Sequence, residues 1–82
     1  MPAFHYVYVL ASVADPERHY TGITRNLNDR LSKHNSGSVP HTAKYRPWRI
    51  ETCVAFSSLE KAKAFEAYLK SGSGREFARR HF

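Results

Sequence analysis

Three short runs of aromatic and β-branched residues, each followed by turn or helix-capping residues, leave few folds open to this chain. Phe4 to Leu10 reads Phe-His-Tyr-Val-Tyr-Val-Leu and predicts a strand. Ala14-Asp15-Pro16-Glu17 then predicts a turn, because Pro16 presets φ and Asp15 can hydrogen-bond nearby backbone. His19 to Thr24 predicts a shorter second strand, paired with the first as a hairpin. Trp48 to Phe56 predicts a third, with Ile50, Val54 and Phe56 at alternating positions.

Between and after the strands the period changes. Asn26 or Asn28 caps a helix that runs to about His34, with Leu27 and Leu31 four residues apart. Asn35-Ser36-Gly37 stops it, since these residues tolerate the left-handed conformation at helix ends. Residues 36–47 are polar and basic with breakers at Pro40 and Pro47, and are expected to be a loop. Ser57 or Ser58 caps a second helix whose Ala62, Phe65 and Leu69 form an apolar stripe. Ser71-Gly72-Ser73-Gly74 breaks that helix, and a short basic helix from Arg75 to His81 ends the chain. The order is β-β-α-β-α-α, which predicts a small α/β sandwich of α+β character. With 82 residues and no internal repeat, residues 1–82 are expected to be a single domain.

Charge narrows the partners. Thirteen Lys and Arg against 7 acids give a net charge of +6, the electrostatic footprint of a protein that meets a polyanion. No apolar run approaches the roughly 20 residues of a membrane span, and no signal-peptide core is evident, so a cytoplasmic protein without membrane association is expected. The single Cys53 lies in an apolar run and is expected to be a small core residue.

The residues that carry chemistry are few. Tyr8 and Tyr20 fall on adjoining predicted strands, and their phenols can orient a water or a phosphate. Acting as a general base, such a tyrosine needs a pKa well below the usual value of about 10. Arg30 and His34 are four residues apart on one helix face, a guanidinium fork for phosphate beside an imidazole that can take or pass a proton. Glu66 sits beside Phe65 and three residues before Leu69, where an acid calls for a partner or a ligand. One carboxylate can anchor Mg²⁺, which keeps most of its waters and touches substrate phosphate. His41-Thr42-Ala43-Lys44-Tyr45-Arg46 mixes cations with an aromatic, a composition suited to a passing nucleic-acid strand. Lys33, His41, Lys44, Arg46, Lys70 and Arg75 are therefore the expected nucleic-acid contacts.

Taken together, these residues resemble the GIY-YIG nuclease domain family, in its small bacterial (UPF0213-like) form. Tyr6-Val7-Tyr8 stands at the Gly-Ile-Tyr phrase and Tyr20-Thr21-Gly22 at the Tyr-Ile-Gly phrase. Asn28-Asp29-Arg30-Leu31 with His34-Asn35 resembles the family's first helix, and Ala64-Phe65-Glu66 with Leu69-Lys70 its glutamate helix. The resemblance implies a three-stranded antiparallel sheet flanked by helices and Mg²⁺ or Mn²⁺ on Glu66. It also implies Tyr8 as base or water-orienting group, Tyr20 and Arg30 on the scissile phosphate, His34 beside them, and Gly22 where backbone passes close to the site. Two departures stand out: Tyr6 replaces the first glycine, and no asparagine follows Asn35. The expected activity is metal-dependent endonucleolytic cleavage of DNA, with structured or damaged DNA in repair or recombination as candidate substrates. The alternative is a non-catalytic nucleic-acid-binding module with the same fold. Any specificity is expected to come from the shape of the nucleic acid, a protein partner or self-association.

Overall fold

The computed structural model describes residues 3–82, in the order β1 (His5–Ser12), β2 (His19–Thr24), α1 (Leu27–Ser36), α2 (Pro40–Ala43), β3 (Trp48–Phe56), α3 (Leu59–Leu69) and α4 (Gly72–His81). The strands form one antiparallel sheet in the order β2-β1-β3, so the first strand is central. Its burial follows: every residue from Val7 to Ser12 is buried, because both edges are paired and both faces are covered.

The two faces carry separate cores. Val7 and Val9 pack with Ala62, Phe65 and Leu69 of α3 and with Phe77 and Ala78 of α4. On the opposite face, Tyr8, Leu10 and Trp48 pack with Tyr20, Ile50, Leu27 and Leu31 of α1, and Tyr45. The α+β sheet expected from the sequence is present, with helices on both sides.

Local chemistry sets the element ends. Asn26 rather than Asn28 caps α1, accepting from Asp29 N at 3.0 Å. Gly37, at φ 85°, closes that helix. Ser58 rather than Ser57 caps α3. Asn35 fastens α1 to β3 through both ends of its amide, accepting from Trp48 N at 2.6 Å and donating to Trp48 O at 3.0 Å.

Four expectations need correction. The segment 36–47 is not all loop, because Pro40 starts α2 at a position where a missing N–H costs nothing. The alternation in β3 is interrupted: Val9 faces Thr52 but Leu10 faces Ile50, leaving Glu51 as an extra residue. Ile50 thus joins the Tyr8 face, while Val54 and Phe56 turn to the Val7 face. Cys53 is exposed, not core, because it lies on an edge strand that is paired on one side only. Finally, α4 begins at Gly72 rather than Arg75. Ser71 caps it by accepting from Gly74 N at 3.1 Å, which offsets the weak helix propensity of the two glycines.

Gly74 also permits the α3–α4 elbow. A Cβ there would collide with the Tyr68 carbonyl and lie 2.6 Å from Leu69 Cα, and backbone cannot rotate aside. Gly74→Ala is therefore expected to cost on the order of 3 kcal/mol in urea denaturation. Gly72→Ala, with nothing within 4 Å of its added carbon, should leave stability equal or slightly higher. Among the described residues, no helix is long and apolar enough to cross a membrane.

Candidate active site

The sheet register builds the centre of the site. Tyr8 pairs with Gly22 across β1 and β2, and its ring lies over that glycine. A Cβ at Gly22 would stand 2.6 Å from Tyr8 Cζ, so only glycine lets the phenol cross the edge strand. Tyr8 is 2% exposed and His34 is fully buried. Tyr8 Oη and His34 Nε2 are 3.0 Å apart. Arg30, one turn before His34 on α1, donates from Nε to the same phenol oxygen at 3.3 Å. Tyr20 packs its ring against His34 with centroids 4.8 Å apart.

Glu66 lies in the other layer. It is half-buried on α3, its side chain 23% exposed, and pairs with Lys70 at 3.6 Å. Its charge reaches Tyr8, where it is among the influences that disfavour the phenolate. Tyr8, Tyr20, Arg30 and His34 are thus in mutual contact, with Glu66 within electrostatic range of them.

The expected nucleic-acid contacts divide between the two layers. Lys33 on α1 pairs with Asp29 at 3.3 Å, and both side chains are exposed. His41 and Lys44 are exposed at α2, and Arg46 donates to Ala43 O at 2.8 Å. On the α3–α4 side, Lys70 and Arg75 line a groove of about 960 Å³ with Arg18, Arg79, Glu51 and Tyr20. Tyr20 belongs to both the groove and the tyrosine–histidine cluster.

Burial and charge set the protonation of the cluster. Burial pushes the Tyr8 phenol above its usual value, and this outweighs the opposing hydrogen bond and charge of Arg30. The phenol is therefore protonated rather than a ready-made phenolate base. Burial, seconded by the Arg30 charge, holds His34 below the ordinary imidazole value, so this ring is neutral near pH 7. The hydrogen bond to Tyr8 raises the pKa of Arg30, keeping it charged. Among the described residues, no carboxylate pairs with Arg30, which leaves the cation available to an anion.

Because the folded state resists protonating His34, its contribution to stability is complete above the ordinary value of 6.5. That contribution falls as pH drops below 6.5, since the unfolded chain takes up the proton first. Thermal unfolding between pH 8 and 5 should show this loss, with a slope of at most about 1.4 kcal/mol per pH unit from this group. In His34→Gln the corresponding part of the slope should vanish.

Two contributors were not evident in the sequence. Thr42, 1% exposed, places Oγ1 2.8 Å from His34 Nδ1, and Trp48 donates from its indole to Thr42 O at 2.8 Å. The segment holding Thr42 reads as a basic loop, and no spacing links it to His34.

A sheet edge where tyrosine, histidine and arginine meet, with a helix-borne glutamate in electrostatic range, defines a compact catalytic domain of the GIY-YIG type. A sequence profile described as the GIY-YIG catalytic domain matches residues 4–80, and the chain belongs to this nuclease family. The UPF0213 protein BH0048 of Halalkalibacterium halodurans is 36% identical over 73 residues, which cover 88% of this chain and 76% of that protein. Its solution NMR structure, described under the name Bacillus halodurans, superposes with a TM-score of 0.56 at 34% identity, covering 93% of this chain and 80% of that one. The structure-specific endonuclease subunit SLX1 of Candida dubliniensis is 36% identical over 77 residues, covering 85% of this chain but 27% of that protein. The same subunit of Debaryomyces hansenii is 35% identical over 71 residues, covering 79% of this chain and 20% of its own length.

Proposed function

We propose that this domain is a metal-dependent endonuclease that hydrolyses phosphodiester bonds in DNA, acting in the cytoplasm on structured or damaged substrates. The observation that carries this reading is the convergence of Tyr8, His34 and Arg30 at hydrogen-bond distances, with Glu66 close enough to influence the phenol. The names of the SLX1 relatives, structure-specific endonuclease subunits, support a preference for DNA structure over sequence. Those names describe a subunit, which supports a partner that supplies specificity.

The donor set fits Mg²⁺ or Mn²⁺. Among the described residues, no group of three or more His, Cys, Asp or Glu could cage an ion. Glu66 alone is the kind of anchor that leaves a hydrated ion free to meet phosphate. Its carboxylate already attracts a cation, the exposed Lys70 ammonium, which is free to swing away. The ion would supply charge stabilisation at the phosphate and assist the departing oxygen.

The chain's own residues do the rest. The terminal nitrogens of Arg30 are suited to a phosphate oxygen while Nε holds the Tyr8 phenol. A water aligned by Tyr8 forms the new bond to phosphorus and gives its proton to Tyr8 Oη as the phenol proton passes to His34 Nε2. The leaving oxygen departs with the electrons of its bond to phosphorus and takes a proton from solvent. This relay needs no standing tyrosinate, in agreement with the raised pKa of Tyr8. Phosphate binding also offsets the Arg30 charge that opposes an imidazolium. The groove with Lys70 and Arg75 offers the flanking backbone a path away from Tyr20.

Purified protein with Mg²⁺ is expected to cut at least one of a panel of single-stranded, nicked, flapped and branched DNAs, and EDTA should abolish the cut. Salt-sensitive binding without cleavage of any member would instead make this domain a nucleic-acid-binding module.

A further inference from the structure

We infer that Thr42 is a positioning residue that fixes the tautomer of His34, so that Nε2 faces Tyr8 as an acceptor. The catalytic consequence rests on the relay proposed above; the tautomer itself does not. Hydrogen-bond directions can be followed from either end. Arg30 can only donate, so its Nε–H at 3.3 Å makes Tyr8 Oη an acceptor. The phenol hydrogen is then free to point at His34 Nε2, 3.0 Å away. At the other end, Thr42 Oγ1 donates to Val39 O at 3.3 Å. Its lone pairs are left to accept from His34 Nδ1, 2.8 Å away.

One orientation therefore satisfies the whole chain: Arg30 to Tyr8, Tyr8 to His34, His34 to Thr42, and Thr42 to Val39. The opposite tautomer puts a second donor on the Tyr8 oxygen and leaves the phenol hydrogen without an acceptor. It also takes the Thr42 hydroxyl from Val39 O. Leaving a buried donor unsatisfied is unfavourable, and both His34 and Thr42 are at or below 1% exposure.

Thr42 is itself held in place. Its carbonyl receives the Trp48 indole N–H at 2.8 Å, and its amide bonds Val39 O at 3.1 Å. Trp48 N is in turn fixed by Asn35, the residue next to His34. The hydroxyl and the imidazole are thus presented by two elements that are both tied to the start of β3. The charged and titratable groups facing the ring are Arg30 from α1, Tyr8 from β1 and Tyr20 from β2.

Long-range ¹H–¹⁵N correlation spectra of ¹⁵N-labelled protein at pH 7.5 read the tautomer directly, with His34→Gln identifying the signals. The expected spectrum has His34 protonated at Nδ1, the minor form of free histidine. Thr42→Val should convert the ring wholly or partly to the Nε2–H form, and Thr42→Ser should restore the native pattern. In cleavage assays Thr42→Val should lower kcat by about ten- to a hundred-fold with KM for DNA unchanged, and Thr42→Ser should recover most of the rate. A wild-type ring protonated at Nε2 would overturn the inference, as would a Thr42→Val ring that keeps the Nδ1–H form. The wild-type spectrum decides even if Thr42→Val does not fold. A native Nδ1–H spectrum without cleavage of any DNA would overturn the nuclease reading and leave the tautomer assignment standing.

Discussion

Replacing Tyr8 with phenylalanine is expected to slow cleavage by about a hundred- to ten-thousand-fold, the range of a lost proton-transfer group. The ring is retained, so packing with Leu10, Trp48 and Tyr20 persists. What disappears is the oxygen shared by Arg30 and His34. Stability should fall by about 1–3 kcal/mol, because His34 Nε2 is left buried and unpaired. Single-turnover cleavage measured beside DNA binding separates these effects: binding should change little while the chemical step collapses. An unchanged rate would remove Tyr8 from the reaction.

The wild-type pH profile adds a second signature. Since burial raises the Tyr8 pKa, no phenolate accumulates near neutrality, and the activity should not follow tyrosine ionisation there. Instead the rate should fall on the acid side as His34 becomes protonated and can no longer take the phenol proton. His34 is held below its ordinary 6.5, so this acid limb should lie below pH 6.5.

Much of this site was legible in the chain because its parts obey short-range rules. Arg30 and His34 share a face through helix periodicity alone, and Asn26 and Ser58 sit at helix starts as cap chemistry requires. Tyr8 and Tyr20 were identifiable as strand residues. Their convergence depends on the β1–β2 register, which pairs Tyr8 with Gly22.

The features that escaped are those fixed by tertiary contact. The extra residue at Glu51 reverses which face β3 presents, and alternation cannot reveal that without the partner strand. Pro40 reads as a breaker in isolation, yet it starts α2 and so brings Thr42 beneath His34. The protonation of Tyr8 was equally hidden. Beside an arginine, a lowered phenol pKa is the natural expectation, and only the burial of the ring shows that desolvation wins.

Glu66→Gln is expected to have an effect of comparable size, about a thousand-fold or more on the rate. Removing the Glu66 carboxylate removes the anchor proposed for the ion. Metal assistance is worth several kcal/mol, and each 1.36 kcal/mol is about a factor of ten. The substitution keeps the shape of the side chain and adds no steric demand at a half-buried position. It breaks the pair with Lys70, but that lysine side chain is 55% exposed, so the cost in stability should be below about 1 kcal/mol. Two further measurements isolate the role of the charge. In EDTA, Glu66→Gln should bind DNA as tightly as wild type or more tightly, since a negative charge has left a site meant for phosphate. As Mg²⁺ is titrated, the wild-type rate should rise and saturate while that of the variant stays flat. A variant that still responds to Mg²⁺ with the wild-type midpoint would show that the ion is held elsewhere. The Tyr8 cluster would then have to work without a metal beside it, and a phenol kept protonated by burial would have lost the assistance that makes its relay worthwhile.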